Sequence, residues 1–164
     1  MRKKRTYIQL LSFLPALTIM VMIFLFSAQP AHISQGTSSP LAEGLVHVWE
    51  RFFGEFKESV RLEQIDRMDV VVRKTAHMTE YLLLSLSIGI PLYYYHFRSK
   101  KLYLITFLSS LFYAGTDEFH QLFVEGRSGR ISDVGIDSIG IAIGCLVLFF
   151  YINAKTKAKQ SDLG

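Results

Sequence analysis

The chain has 164 residues, half of them apolar and a fifth charged, with thirteen Phe and eight Tyr. That length favours a single domain, 1–164, and that composition excludes a disordered chain. Mean hydropathy is +0.27, and basic residues outnumber acidic ones by four. They gather in short clusters flanking apolar runs, the pattern of membrane topology and not of nucleic-acid binding. Cys145 is the sole cysteine, so no intramolecular disulfide can form.

From Tyr7 to Phe26 twenty residues carry no charge, enough at 1.5 Å per residue to cross a hydrocarbon core of roughly 30 Å. This run follows Arg2-Lys3-Lys4-Arg5, as a signal peptide would, but Phe26-Ser27-Ala28 puts a bulky residue where a cleavage site needs a small one. The reading is an uncleaved span over about residues 7–28.

Residues 30–69 hold seven acidic and four basic residues. Leu41, Leu45, Val48, Trp49, Phe52 and Phe56 recur at helical spacing, with Glu43, Glu50, Arg51, Glu55 and Glu58 on other faces. Ser39-Pro40 fits an N-cap and first helical residue. The stripe predicts an amphipathic helix. It either lies on the membrane surface, with Trp49 and Phe52 or Phe53 among the headgroups, or packs on the protein's own outer face.

Three shorter apolar runs follow. Seventeen residues between Glu80 and Arg98, fifteen between Lys101 and Asp117 and seventeen between Asp137 and Lys155 lack a formal charge. They reach roughly 23 to 26 Å, less than a span requires, so each helix must draw its outer acid to the membrane edge. Spans are expected over about residues 70–96, 101–123 and 132–153, the first of them able to kink at Pro91 without being broken, with a polar tail after Asn153 that frays. Arg2 to Arg5, the Arg98-Lys100-Lys101 group and the Lys155-Lys157-Lys159 group hold ten of the eighteen basic residues. Placing all three groups in the cytoplasm puts both termini inside. The expected fold class is thus all-α: a polytopic membrane protein, a four-transmembrane-helix bundle with an extracytoplasmic amphipathic helix between helices 1 and 2.

In that topology Glu80, Asp117 and Asp137 all fall roughly 24 to 27 Å above the inner boundary. Carboxylates at such depth should turn inward and pair. On the second span Arg73, His77 and Glu80 are spaced four and three, Tyr81 is four past His77, and Lys74 lies about 100° round from Arg73. On the third, Asp117 and Gln121 share a face while Glu118 turns aside. The fourth carries Asp133, Asp137, Gly140 and Gly144 on one side, and Gly140-x-x-x-Gly144 would let a neighbouring helix approach closely. Arg127 and Arg130 in the loop, and Ser27 and Gln29 at the end of the first span, face the same surface. His77, Glu80, Asp117, Glu118, His120 and Asp137 could supply metal ligands, but no spacing is diagnostic and the nearby basic residues repel a cation. No metal and no cofactor is expected.

Phe26-Ser27-Ala28-Gln29, the run Arg73-Lys74-Thr75-Ala76-His77-Met78-Thr79-Glu80-Tyr81, and Asp117-Glu118-Phe119-His120-Gln121-Leu122-Phe123 through Arg127, Asp133, Asp137, Gly140 and Gly144 resemble the VanZ-like family of bacterial membrane proteins. The resemblance implies the bacterial cytoplasmic membrane. It also carries an association of the family's namesake with low-level resistance to the glycopeptide teicoplanin, although Arg73-Lys74-x-x-His77 marks a branch that the namesake lacks.

Two functions are then expected. One is an outward-facing polar site that binds or modifies an anionic envelope lipid or lipid-linked cell-wall precursor. Arg73, Arg127 and Arg130 would hold phosphate oxygens, and His77 would act as general base or acid oriented by Glu80 or Asp117. Lys74, Tyr81, Glu118, Gln121, Asp133, Asp137, Ser27 and Gln29 would complete the site. The other is a structural or accessory protein whose buried ion pairs only fix helix register.

Overall fold

The computed structural model describes residues 9–95, 97 and 99–161. The basic markers Arg2 to Arg5 and Arg98, and the first residues of the first span, lie outside them. The fold is all-α, with no strand among the described residues. Five helices follow in order: α1 (Leu14–Ser27), α2 (Ala31–Phe53), α3 (Glu58–Tyr94), α4 (Lys100–Gln121) and α5 (Ile131–Ser161).

α1 is uncharged, begins with Pro15 in its first turn and buries Ala16, Ile23 and Ser27 along one side. A preceding helical turn extends this apolar run to Gln9–Ser27. Together with Ile131–Gln160 it forms one of two helices long and apolar enough to cross a membrane. α3 and α4 fall short of that measure because Arg73, His77 and Glu80 interrupt one and Asp117 and Glu118 end the other.

α1, α3, α4 and α5 pack around Ala16, Ile23, Tyr81, Leu84, Ala114 and Ile141. The most extensive contact is between α3 and α5. There a Cβ on Gly140 would stand 2.0 Å from the Met78 carbonyl oxygen, and one on Gly144 would stand 1.9 Å from Ser85 Oγ. Small residues bring the backbones together where apolar side chains alone would hold them apart. The outer faces keep Leu17, Val21, Leu104, Leu108, Phe112, Leu146 and Phe150 exposed, an apolar exterior suited to lipid.

The segment 30–69 departs from expectation in two ways. The helix starts at Ala31, not at Ser39-Pro40, and Pro40 stands inside it. Pro30 precedes the first turn, and the Ala31 amide donates to the Glu125 carbonyl at 3.1 Å. Tertiary packing thus overrides the local start signal. Secondly, residues 58–69 are not separate from the second span but are the first three turns of α3, which reaches Tyr94 without a break. Ile65, Met68 and Val72 recur at helical spacing and close on Ala42 and Val46 of α2. The predicted stripe of Leu41, Leu45, Val48, Trp49 and Phe52 is exposed and does not pack on the protein's own face; the buried face of α2 is Ser38, Ala42 and Val46. Of that stripe only Phe56 packs inward.

The tail after Asn153 also differs, continuing as helix to Ser161. Its Ala, Lys and Gln residues are strong helix formers, and Lys155 Nζ lies 4.6 Å above the Tyr94 ring.

Candidate functional site

Where α3, α4, α5 and the α4–α5 loop meet, a polar recess of about 180 Å³ is lined by Arg73, Lys74, His77, Glu118, Gln121, Arg127, Arg130, Asp133 and Asp137. Local backbone rules build the loop side. Gly126 adopts φ +72°, which side chains disfavour. A Cβ on Gly129 would come within 2.1 Å of the Glu118 carbonyl oxygen, so only glycine lets the loop close on the end of α4. Arg127 and Arg130 are carried to the rim on either side of that contact.

Beneath the recess a chain of hydrogen bonds joins three helices. Ser27 Oγ donates to Asp117 Oδ2 at 2.8 Å, and Gln121 Nε2 donates to Asp117 Oδ2 and Glu118 Oε1 at 3.2 Å each. The Arg130 amide donates to Glu118 Oε2 at 2.9 Å. Glu118, one residue and a 100° turn beyond Asp117, therefore faces the start of α5 and places its charge at a helix N-terminus, where the dipole favours it. Asp137 is 2 % exposed and lies within electrostatic reach of Glu118, Asp117, Asp133 and Glu80. Of the three carboxylates expected at one height, Asp137 lines the recess, Asp117 is buried and lines no cavity, and Glu80 lines a neighbouring groove.

The cations are partly committed. Arg73 Nε lies 3.1 Å from Asp69 Oδ2, one turn earlier on α3. Lys74 pairs with Asp133, tying α3 to α5. Arg127 Nε donates to the Gln29 carbonyl and its Nη2 to the Phe26 carbonyl, both at 3.0 Å, so it caps the exposed carbonyls at the end of α1. Burial pulls the Arg127 guanidinium below its usual range, and the neighbouring Arg73 adds to the pull while Asp117, Glu118 and Glu80 oppose it. Arginine nevertheless stays cationic. Arg130 is exposed, and its side chain forms no ion pair among the described residues.

His77 Nδ1 and Glu80 Oε2 stand 3.6 Å apart, at ion-pair but not hydrogen-bond distance. His77 lines the recess, whereas Glu80 turns toward a neighbouring groove. Ser27, Tyr81 and Asp117 line neither cavity. They are buried below the recess, and the Tyr81 ring packs 6.4 Å from that of Tyr113. Gln29 enters through its backbone carbonyl and through the groove wall.

A family model described as VanZ/LLP1 matches residues 12–152. The chain belongs to the VanZ/LLP1 family. With its two apolar helices, membership of the VanZ/LLP1 family marks a membrane protein. No curated protein and no solved structure matches the chain.

Sequence reasoning missed Asp69 and Ser38. Asp69 is 1 % exposed, accepts from the Ser38 hydroxyl of α2 and holds Arg73. Its spacing of four before Arg73 was the available signal, hidden because residue 69 stood at the edge of a segment read as separate from the span.

Proposed function

We propose that this VanZ/LLP1 protein crosses the bacterial cytoplasmic membrane four times with both termini inside, and that its polar recess opens outward to bind an anionic envelope lipid or lipid-linked cell-wall precursor. The observation that carries this reading is that four cations, Arg73, Lys74, Arg127 and Arg130, line one recess with His77 and three carboxylates, Glu118, Asp133 and Asp137. Guanidinium and ammonium groups bind phosphate oxygens through charge-assisted hydrogen bonds. Arg130 and Arg127 Nη1, which has no hydrogen-bond partner among the described residues, are the first donors such a ligand would meet. His77 is the imidazole of the recess and the group through which a proton would move in any reaction there. The length of α3 fits the topology: its 37 residues reach about 55 Å. That exceeds a core of roughly 30 Å, so its first turns and α2 stand outside.

Mass spectrometry of lipid carried by the purified protein, wild type beside Arg130→Ala, tests the proposal. A phosphate-bearing lipid that falls severalfold in the variant at equal protein abundance supports it. Equal lipid in both removes Arg130 and the recess from ligand binding. The link to teicoplanin resistance comes from the family namesake, and growth in teicoplanin with and without the protein tests it separately.

A second reading, a structural or accessory protein, is favoured by two contacts: the Lys74–Asp133 pair joins α3 to α5, and Arg127 clamps the end of α1. It predicts that substitutions in these pairs remove the protein from the membrane and do not merely silence it.

A further inference from the structure

Beside the polar recess lies a groove of about 250 Å³ between the start of α2 and the flank of α3, its walls mostly apolar through Phe26, Leu41, Val72 and Ala76, with Thr37 on the α2 side and Glu80 at one end. Arg73, His77 and Arg127 line both cavities. We infer that this groove holds one hydrocarbon chain of an amphiphile whose anionic head lies in the polar recess, an inference that rests on the binding role proposed above.

Continuity is the first argument. The three shared residues form the boundary between the cavities, so a molecule in the groove ends against the cations of the recess. Charge is the second: Arg73 and Arg127 are cations at the junction, where the head of an anionic lipid joins its chain. Level is the third. Val72 to Glu80 stand 18 to 26 residues before Arg98, roughly 27 to 39 Å above the inner boundary in the proposed topology. This is where hydrocarbon gives way to headgroups. Apolar walls there do not merely face bulk lipid. The volume lies below the roughly 300 Å³ of a complete small-molecule site, which suits the head-proximal part of a single chain.

The test compares two probes on the full-length purified protein at fixed detergent: 1-palmitoyl lysophosphatidic acid, and glycerol 3-phosphate, which has the same head without the chain. Wild type should bind the lysolipid at least about a hundredfold more tightly than glycerol 3-phosphate. Ala76→Phe, which fills the groove from the exposed side of α3, should cut that advantage at least about tenfold, the worth of roughly two buried methylenes. Thr37→Phe does the same from α2 and guards against a folding defect peculiar to one variant. An undiminished advantage in both variants overturns the groove while leaving the polar recess intact. Equal affinity of wild type for the two probes also overturns it. Failure of wild type to bind either probe overturns the recess reading as well.

Discussion

Ser27 and Asp117, ninety residues apart in the chain, meet in a hydrogen bond of 2.8 Å between the end of α1 and the end of α4. The bond fixes where the first helix stops. Through Gln121 and Glu118 it continues to the first turn of α5, so the floor of the recess is one connected network. Ser27→Ala leaves Asp117, 4 % exposed, short of a donor at a cost of about 1–3 kcal/mol. Thermal unfolding in detergent should shift down by several degrees, whereas the exposed Ser132→Ala should leave it unchanged.

Gly140 and Gly135 separate close packing from mere composition. A methyl at Gly140 would enter the Met78 carbonyl, while one at Gly135 meets nothing within 4 Å. Backbone cannot swing aside as a side chain can. Gly140→Ala should therefore cost about 1–3 kcal/mol or more and lower the yield of folded protein, with Gly135→Ala at wild-type yield.

Asp69 holds Arg73 from a buried position, whereas Glu63 and Arg67 pair in the open. Removing one partner of a buried pair costs roughly 3–5 kcal/mol, and an exposed pair is worth at most about 1. Asp69→Asn should reduce both folded yield and bound lipid. Arg67→Ala should match wild type in both, by fluorescence-detected chromatography and mass spectrometry.

Arg127 and Arg130 should behave differently although the sequence offers both as phosphate binders. Arg127→Ala takes the donor from the Gln29 carbonyl and one of two donors from the Phe26 carbonyl, which keeps the Gln29 amide at 3.3 Å, and should lower membrane abundance. Arg130→Ala breaks no ion pair among the described residues and should keep abundance while losing lipid. Immunoblots of membrane fractions beside the lipid measurement check both.

The site was legible in the sequence because charge inside an apolar run is rare and helical spacing converts it into a face. Counting from basic markers singles out Asp137, which lines the recess, and the Gly140-x-x-x-Gly144 stripe marks the side of α5 that closes on α3. The start of α2 was not legible. Ser39-Pro40 carries a local start signal, but the packing of Ser38, Ala42 and Val46 on α3 extends the helix through it. Nor could spacing show that two donors of Arg127 are spent on the carbonyls of Phe26 and Gln29, since that pairing depends on a loop folded over a distant helix end.

Thiol labelling reads directly whether the charged recess faces the outside of the membrane. With Cys145→Ser as background, Ser128→Cys puts a thiol on an exposed residue of the recess wall, and Lys157→Cys puts one on the exposed end of α5. In intact cells a membrane-impermeant maleimide should label the residue 128 thiol and spare the residue 157 thiol until the membrane is permeabilised. Labelling at 128 only after permeabilisation, or at neither stage, would contradict an outward-opening site.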